Sequence, residues 1–237
     1  MFRISLVQRR QIWLPTLFGW LILIAFIGAG TILAGFRAYP FLAPNDPIPE
    51  ARLLVVEGWL ASSELDQAVK AYRKGRYDQV LTTGGPIDRF PELLGASNYA
   101  DFAASYLKNH GLSGVEVIPV PTPASAQDRT FLSAVKVRDW ANKQGLSVAS
   151  LNVFSSGTHA RRSRMLYQMA FGPNVGIGIL AARPAEYAPE RWWQTSVGAK
   201  AVLGESIGLI WTICCFHPPA PGSHEELWAV SRRSAPP

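Results

Sequence analysis

Between Gln11 and Phe36 the chain carries no charged side chain, and from Leu17 to Phe36 the stretch is predominantly apolar. In a helix, about 20 apolar residues rising roughly 1.5 Å each cover the roughly 30 Å hydrocarbon layer of a bilayer. A helix also satisfies all of its own backbone hydrogen bonds there. The run therefore predicts a membrane anchor over residues 16–37, flanked by Arg9 and Arg10 before it and Arg37 after it. Trp13 and Trp20 lie near one boundary and Tyr39 near the other, where amphipathic rings suit the headgroup layer. Arg3, Arg9 and Arg10 outweigh the lone Arg37, so the positive-inside rule puts residues 1–15 in the cytoplasm and everything after the anchor across the membrane. The expected address is the inner (plasma) membrane, single-pass, with the main domain periplasmic or otherwise extracytoplasmic. A cleaved signal peptide is the second reading, because Ala29, Gly30, Ala34 and Gly35 supply small residues. The run exceeds the roughly 7 to 15 residues of a signal core and no Ala-x-Ala follows it.

The remaining residues, about 200 of 237, suffice for one domain with a substantial core. The formal net charge of +6 is not gathered into an arm, and a domain beyond the membrane does not meet DNA, so nucleic acid is excluded as a partner. Cys214 and Cys215 are the only cysteines. A bridge between neighbours is expected to be strained, so no staple is predicted. Neither Cys/His ligand spacing nor a histidine cluster predicts a metal, and no cofactor is implied.

Residues 38–51 contain Pro40, Pro44, Pro47 and Pro49 and read as a stiff linker holding the domain off the membrane. Residues 52–215 then alternate short apolar runs with amphipathic ones. Strands are predicted at Leu53–Val56, Gln79–Thr83, Val115–Val120, Leu151–Phe154 and Val175–Leu180. Helices are predicted at Glu64–Lys74, Asn98–Asn109 closed by Gly111, Thr130–Gln144, His159–Phe171 and Ser196–Trp211. Strands that are apolar throughout belong to a parallel sheet covered on both faces, which predicts an α/β, Rossmann-like three-layer domain with about five strands. Residues 216–237 read as a flexible tail, with Leu227 and Trp228 as its candidate docking residues.

Ligands of open parallel sheets bind beyond the carboxyl ends of the strands. That rule selects Gly58 after the first strand, Thr83, Gly84 and Gly85 after the second, and the Ser155 to Arg164 segment after the fourth. There, Thr158 is the expected N-cap, and Arg161, Arg162 and Arg164 follow in the first two turns. Cations at a helix start oppose its dipole unless an anion compensates, so the cluster predicts an anion site with Arg162 pointing into the crevice. The competing reading makes Arg162 structural, in an ion pair with Glu205 or Asp128. Glu205 shares a face with Ala201, Val202 and Leu209 and needs a partner; a buried ion pair and a catalytic role are both open. His159 is a candidate proton donor or acceptor, and Asp128 or Glu205 would orient it. No Ser/His/Asp triad is defensible from spacing, and no dinucleotide or P-loop fingerprint occurs.

At these loops the chain resembles the SanA/ElyC/YdcF family of bacterial envelope proteins, from about Arg52 to Trp211. The residues that carry the resemblance are Leu81-Thr82-Thr83-Gly84-Gly85, Asp128-Arg129-Thr130 through Ala134, Ser156-Gly157-Thr158-His159-Ala160-Arg161-Arg162, and Trp192-Trp193 leading to Glu205. The resemblance implies a Rossmann-like fold, an N-terminal anchor, and a role in peptidoglycan or surface-polysaccharide metabolism. It places the site at Gly84, Gly85, Thr130, His159, Arg162 and Glu205. Many members have an acid where this chain has Asn98 or Tyr99; Asp128 is the candidate substitute. The expected ligand is an anionic, saccharide-type or lipid-linked molecule. If the protein is an enzyme, it is a transferase or hydrolase at a phosphate or glycosyl linkage. The alternative is a non-catalytic scaffold or export accessory for other envelope-assembly proteins.

Overall fold

The computed structural model describes residues 14–87, 95–125, 128–223 and 226. The first 13 residues, with Arg3, Arg9, Arg10 and Trp13, lie outside the described residues, as do Leu227 and Trp228. The chain forms two compact units, residues 1–37 and 38–237. The first consists, where described, of most of helix α1 (Leu17–Leu42), whose residues are long and apolar enough to cross a membrane.

The second unit is an α/β domain. Its strands β1 (Leu53–Glu57), β2 (Gln79–Gly84), β3 (Val117–Pro121), β4 (Ser150–Ser156) and β5 (Gly176–Ala182) form one all-parallel sheet in the order β3-β2-β1-β4-β5. Helices α2 (Ser62–Lys74) and α3 (Tyr99–Asn109) cover one face, while α4 (Arg129–Lys143) and α5 (Ala160–Phe171) cover the other. Within β1 the alternation is direct: Leu53 and Val55 face α4 and α5, and Leu54 and Val56 face α2 and α3. Both sets are removed from water, so β1 is apolar until its last residue. Helix α3 closes with His110 as C-cap and Gly111 beyond it at φ 121°, while the Leu112 N–H returns to the Leu107 carbonyl at 3.0 Å.

Several boundaries differ from expectation. Helix α1 does not stop before Pro40 but runs to Leu42. A proline in the final turn removes one ladder hydrogen bond, and packing offsets that loss: Leu42 is 2% exposed in a cluster with Trp192, Val202 and Leu209. Nor is the following segment a free spacer. Asp46 exchanges backbone hydrogen bonds with Ile179 on the edge strand β5, at 2.8 and 3.1 Å, and the Asn152 amide grips both the N–H and carbonyl of Ile48. Covering part of an exposed strand edge is what stabilises it there. The tail is also partly docked: Phe216 packs on Phe131, and Glu226 accepts from Nη1 and Nη2 of Arg138, each at 2.8 Å.

The last helix, α6 (Ser196–Cys214), runs three residues further than predicted and is capped by the Thr195 hydroxyl, which accepts from the Gly198 N–H at 3.1 Å. At its end the sulfurs of Cys214 and Cys215 are bonded to each other, although a bridge between neighbours is expected to be strained. A ring between adjacent residues closes no loop, so it ties no two elements together.

Candidate functional site

The strand order reverses direction between β1 and β4: β1 continues through β2 to β3, and β4 returns beside β1 on its other side. Loops from the carboxyl ends of strands diverge at such a point and leave a crevice. A cleft of about 720 Å³ lies there, lined by Glu57 from β1, Thr83, Gly84 and Gly85 from β2, Asp128, Arg129 and Thr130 from the start of α4, and His159, Arg162 and Glu205. Trp59, Tyr99 and Trp211 supply aromatic walls.

His159 stands at the centre. It belongs to a short 3-10 turn, Gly157–His159, that precedes α5, and only 7% of the residue is exposed. One ring nitrogen, Nε2, lies 3.2 Å from the Thr130 hydroxyl. The other, Nδ1, lies 3.0 Å from Glu205 Oε1 and 2.9 Å from Arg162 Nη2. The Trp59 ring meets the imidazole edge-to-face at 5.2 Å between centroids. With the proton on Nδ1, the ring donates to Glu205 and Nε2 accepts from Thr130. With Arg162 donating to Nδ1 instead, Nε2 carries the proton and Thr130 accepts it. The two arrangements differ by the movement of one proton across the ring, which suits a histidine that passes protons.

Glu205 is held from two sides. Arg162 grips it with Nε at 2.9 Å from Oε2 and Nη2 at 3.1 Å from Oε1. Burial alone raises a carboxyl group's pKa, but the hydrogen bonds from His159 and Arg162, reinforced by their charges, outweigh it and hold Glu205 at about 2. Gly208, one turn further along α6, leaves room for this arrangement: a Cβ there would sit 3.2 Å from Arg162 Nε. Below the histidine, Glu57 is 2% exposed and accepts from the Ser155 hydroxyl at 2.6 Å and the Ser163 hydroxyl at 2.7 Å. These bonds fix the end of β1 to β4 and α5. Asp128 precedes α4 in the left-handed region, at φ 50°, and burial raises its carboxyl pKa. A non-glycine residue in that conformation is strained, and such strain concentrates at functional sites. The Thr83 hydroxyl, at the cleft floor, has no hydrogen-bond partner among the described residues.

The structure thus gathers Thr83, Gly84, Gly85, Asp128, Thr130, His159, Arg162 and Glu205, and it separates the rest. Arg161 donates to the Phe41 carbonyl and lies 4.0 Å over the Phe41 ring. Arg164 donates to the Ile177 carbonyl at 2.8 Å and pairs with Asp46 at 2.9 Å. The three guanidinium groups therefore diverge, and only Arg162 enters the cleft, already matched by Glu205. Thr158 is not the N-cap: α5 starts after His159, and Thr158 is buried in the preceding turn, hydrogen-bonded to Tyr187. Gly58 is not a lining residue. Its N–H donates to the Thr83 carbonyl at 2.7 Å, and its α-carbon is pressed against the Tyr99 backbone. Asn98 caps α3 through the Asp101 N–H at 2.8 Å, while Tyr99 reaches the cleft.

Sequence reasoning brought Thr130, His159 and Glu205 to one site and had Glu205 orient the histidine, but it gave Glu57 no role and did not set the Thr130 hydroxyl against the imidazole. The strand-end rule pointed at Glu57, whereas no local spacing relates residues 130, 159 and 205. No group of three or more histidine, cysteine or acidic residues among those described is arranged to hold a metal ion. Compared with family models, curated proteins and solved structures, the chain matches none.

Proposed function

We propose that this chain is a membrane-anchored envelope protein whose cleft binds an oxygen-rich, saccharide-type ligand bearing an anionic group, and that His159 moves a proton during transfer or hydrolysis at a phosphate or glycosyl linkage. One observation carries the reading: a buried imidazole has a carboxylate at one nitrogen, 3.0 Å away, and a hydroxyl at the other, 3.2 Å away. A carboxylate that orients a histidine, and a histidine that takes a hydroxyl proton, are the working parts of a general-base relay. Thr130 is then either the nucleophile or the position a ligand hydroxyl takes over.

The surroundings fit a polar ligand. The Thr83 hydroxyl, without a partner among the described residues, is satisfied by a ligand oxygen, and Trp59, Tyr99 and Trp211 offer apolar ring faces to a sugar. With Arg162 matched by Glu205, the positive end for an anion is the first turn of α4, where Arg129 and Thr130 line the cleft. The resemblance to the SanA/ElyC/YdcF family supports an envelope role, and the arginine asymmetry around α1 supports an extracytoplasmic domain.

The test uses the full chain in detergent with p-nitrophenyl phosphate, bis(p-nitrophenyl) phosphate and p-nitrophenyl glycosides. Release of p-nitrophenolate that falls about 100-fold or more in His159→Ala, with melting unchanged, supports the reading. Activity retained in that variant, or none on any substrate, overturns it. The second reading, a non-catalytic scaffold, is favoured by the mutual saturation of Arg162, Glu205 and His159, and the same null result selects it.

A further inference from the structure

Helix α6 has two unlike faces. Toward the domain it sends Val202 and Leu209 into a cluster with Leu42 and Trp192, and it sends Glu205 and Thr212 to the cleft. On the opposite side Leu203, Ile207 and Ile210 are 56, 69 and 63% exposed, with Ile213 beside them at 63%. At helical spacing these residues form one stripe. Exposed apolar side chains scattered singly need no explanation, but a contiguous stripe of branched aliphatics marks a surface that something apolar covers.

The position of α6 identifies that cover. Its buried residues Val202 and Leu209 share a cluster with Leu42, against which Ala38 and Tyr39, in the last turns of α1, also pack. Leu42 is five residues beyond Arg37, the first charge after the apolar run. At roughly 1.5 Å per residue it is only about 8 Å further along the helix. The chain itself therefore keeps a helix that shares a cluster with Leu42 within reach of the headgroup layer of any bilayer that α1 crosses. Length and composition alone would also let α6 cross a membrane. However, its inner face holds Glu205 in an ion pair with Arg162 and Val202 in the core, so it belongs to the domain and does not cross. Lys200 sits at the start of the exposed stripe, where an ammonium group meets anionic headgroups.

We infer that α6 is a second membrane contact: the Leu203, Ile207 and Ile210 face lies in the headgroup and upper acyl region of the bilayer, which seats one wall of the cleft at the lipid surface. The inference rests on α1 crossing that bilayer and does not depend on the chemistry of the cleft. An interfacial helix of this kind buries its apolar face about 5 to 10 Å into the boundary.

The test uses the full chain with both cysteines replaced by serine, reconstituted in vesicles of phosphatidylcholine and phosphatidylglycerol. Single cysteines at Ile24→Cys, Ile207→Cys, Ile210→Cys and Lys108→Cys carry an environment-sensitive dye. Spin-labelled acyl chains in the vesicles are expected to quench the dye at Ile24, Ile207 and Ile210 and to leave the dye at Lys108 bright. Quenching at Ile24 with none at either α6 position overturns the inference alone. No quenching at Ile24 overturns the anchor reading and this inference with it. Cross-linking of Ile207→Cys to a second copy, without quenching, assigns the stripe to a protein interface and also overturns the inference. The two α6 positions are exposed and independent, so a folding defect in one leaves the other as the measurement.

Discussion

Arg162 holds Glu205 by two parallel hydrogen bonds, at 2.9 and 3.1 Å, between helices α5 and α6 whose pairing residues are separated by 43 positions in the chain. The same carboxylate reaches His159 at 3.0 Å. One side chain therefore both fastens α6 to the domain and orients the histidine, so its removal changes stability and site geometry together.

Replacing Glu205 by Gln is expected to lower stability by about 2 kcal/mol at neutral pH. The Arg162 charge is then left partly buried without its counterion, and partial exposure of the pair reduces the full cost of such a break. The loss depends on pH in a definite direction. Folded Glu205 titrates at about 2 against an ordinary 4.5, so between these values the unfolded chain binds more protons. The stabilisation is complete above about 4.5 and disappears as pH falls toward about 2. Urea unfolding of the two proteins at a series of pH values measures it, and a gap between them that stays constant down this range contradicts the assignment.

Much of the sheet was legible because its signal is local. Leu53 to Val56 is short and apolar throughout, Leu151 to Phe154 is apolar but for Asn152, and burial on both faces is the physical cause of that pattern. The strand-end rule then found the cleft through Thr83, Gly84 and Gly85. The arginine cluster misled, although helix geometry contained the answer. At about 100° per residue, position 162 points about 100° away from 161 and about 160° away from 164, so the three cannot converge on one ligand, although 161 and 164 share a flank of the helix. What each one meets is non-local: Phe41, Glu205 and Asp46 are distant in sequence. The docking of Glu226 on Arg138 was invisible for the same reason. The packing of residues 43–50 on β5 was hidden by prolines, which report local stiffness and say nothing about what a stiff segment touches.

Thr130 separates a relay from a structural hydroxyl. Thr130→Ser keeps the oxygen within reach of His159 Nε2 and is expected to keep most of the turnover, whereas Thr130→Val, similar in shape, is expected to lose about 100-fold or more. The readout is kcat of the full chain on whichever p-nitrophenyl substrate it accepts, beside its melting temperature. Equal turnover in the two variants removes Thr130 from the proposed chemistry.

Gly58 lies under the cleft, where the end of β1 meets the start of α3. A Cβ at this position would come within 2.3 Å of the Tyr99 carbonyl oxygen and 2.9 Å of the Thr83 carbonyl oxygen. Both are backbone atoms and neither can swing aside, so Gly58→Ala must push α3 away from the sheet. The expected loss is about 2 kcal/mol, within the range for overpacking a close-packed interior. Chemical denaturation checks it, and an unchanged midpoint shows that α3 yields more easily than its packing implies.

Tyr167 presents the opposite case. It is fully buried among the residues that pack α5 onto the sheet, and its hydroxyl has no hydrogen-bond partner among the described residues. Burial accordingly pushes the phenol far above its ordinary titration range, with the nearby Glu57 charge adding to the shift. Folding strips water from that hydroxyl and returns nothing, so Tyr167→Phe removes an unmatched polar group while keeping the ring that fills the core. The variant is expected to gain about 1 kcal/mol, because an unsatisfied buried hydroxyl costs on the order of 1 to 3 kcal/mol and the ring contacts stay unchanged. Urea midpoints of the two proteins at equal slope decide the matter. A loss of stability instead of a gain means that the hydroxyl is bonded in solution, and the interior next to Glu57 is then more polar than the packing of α5 shows.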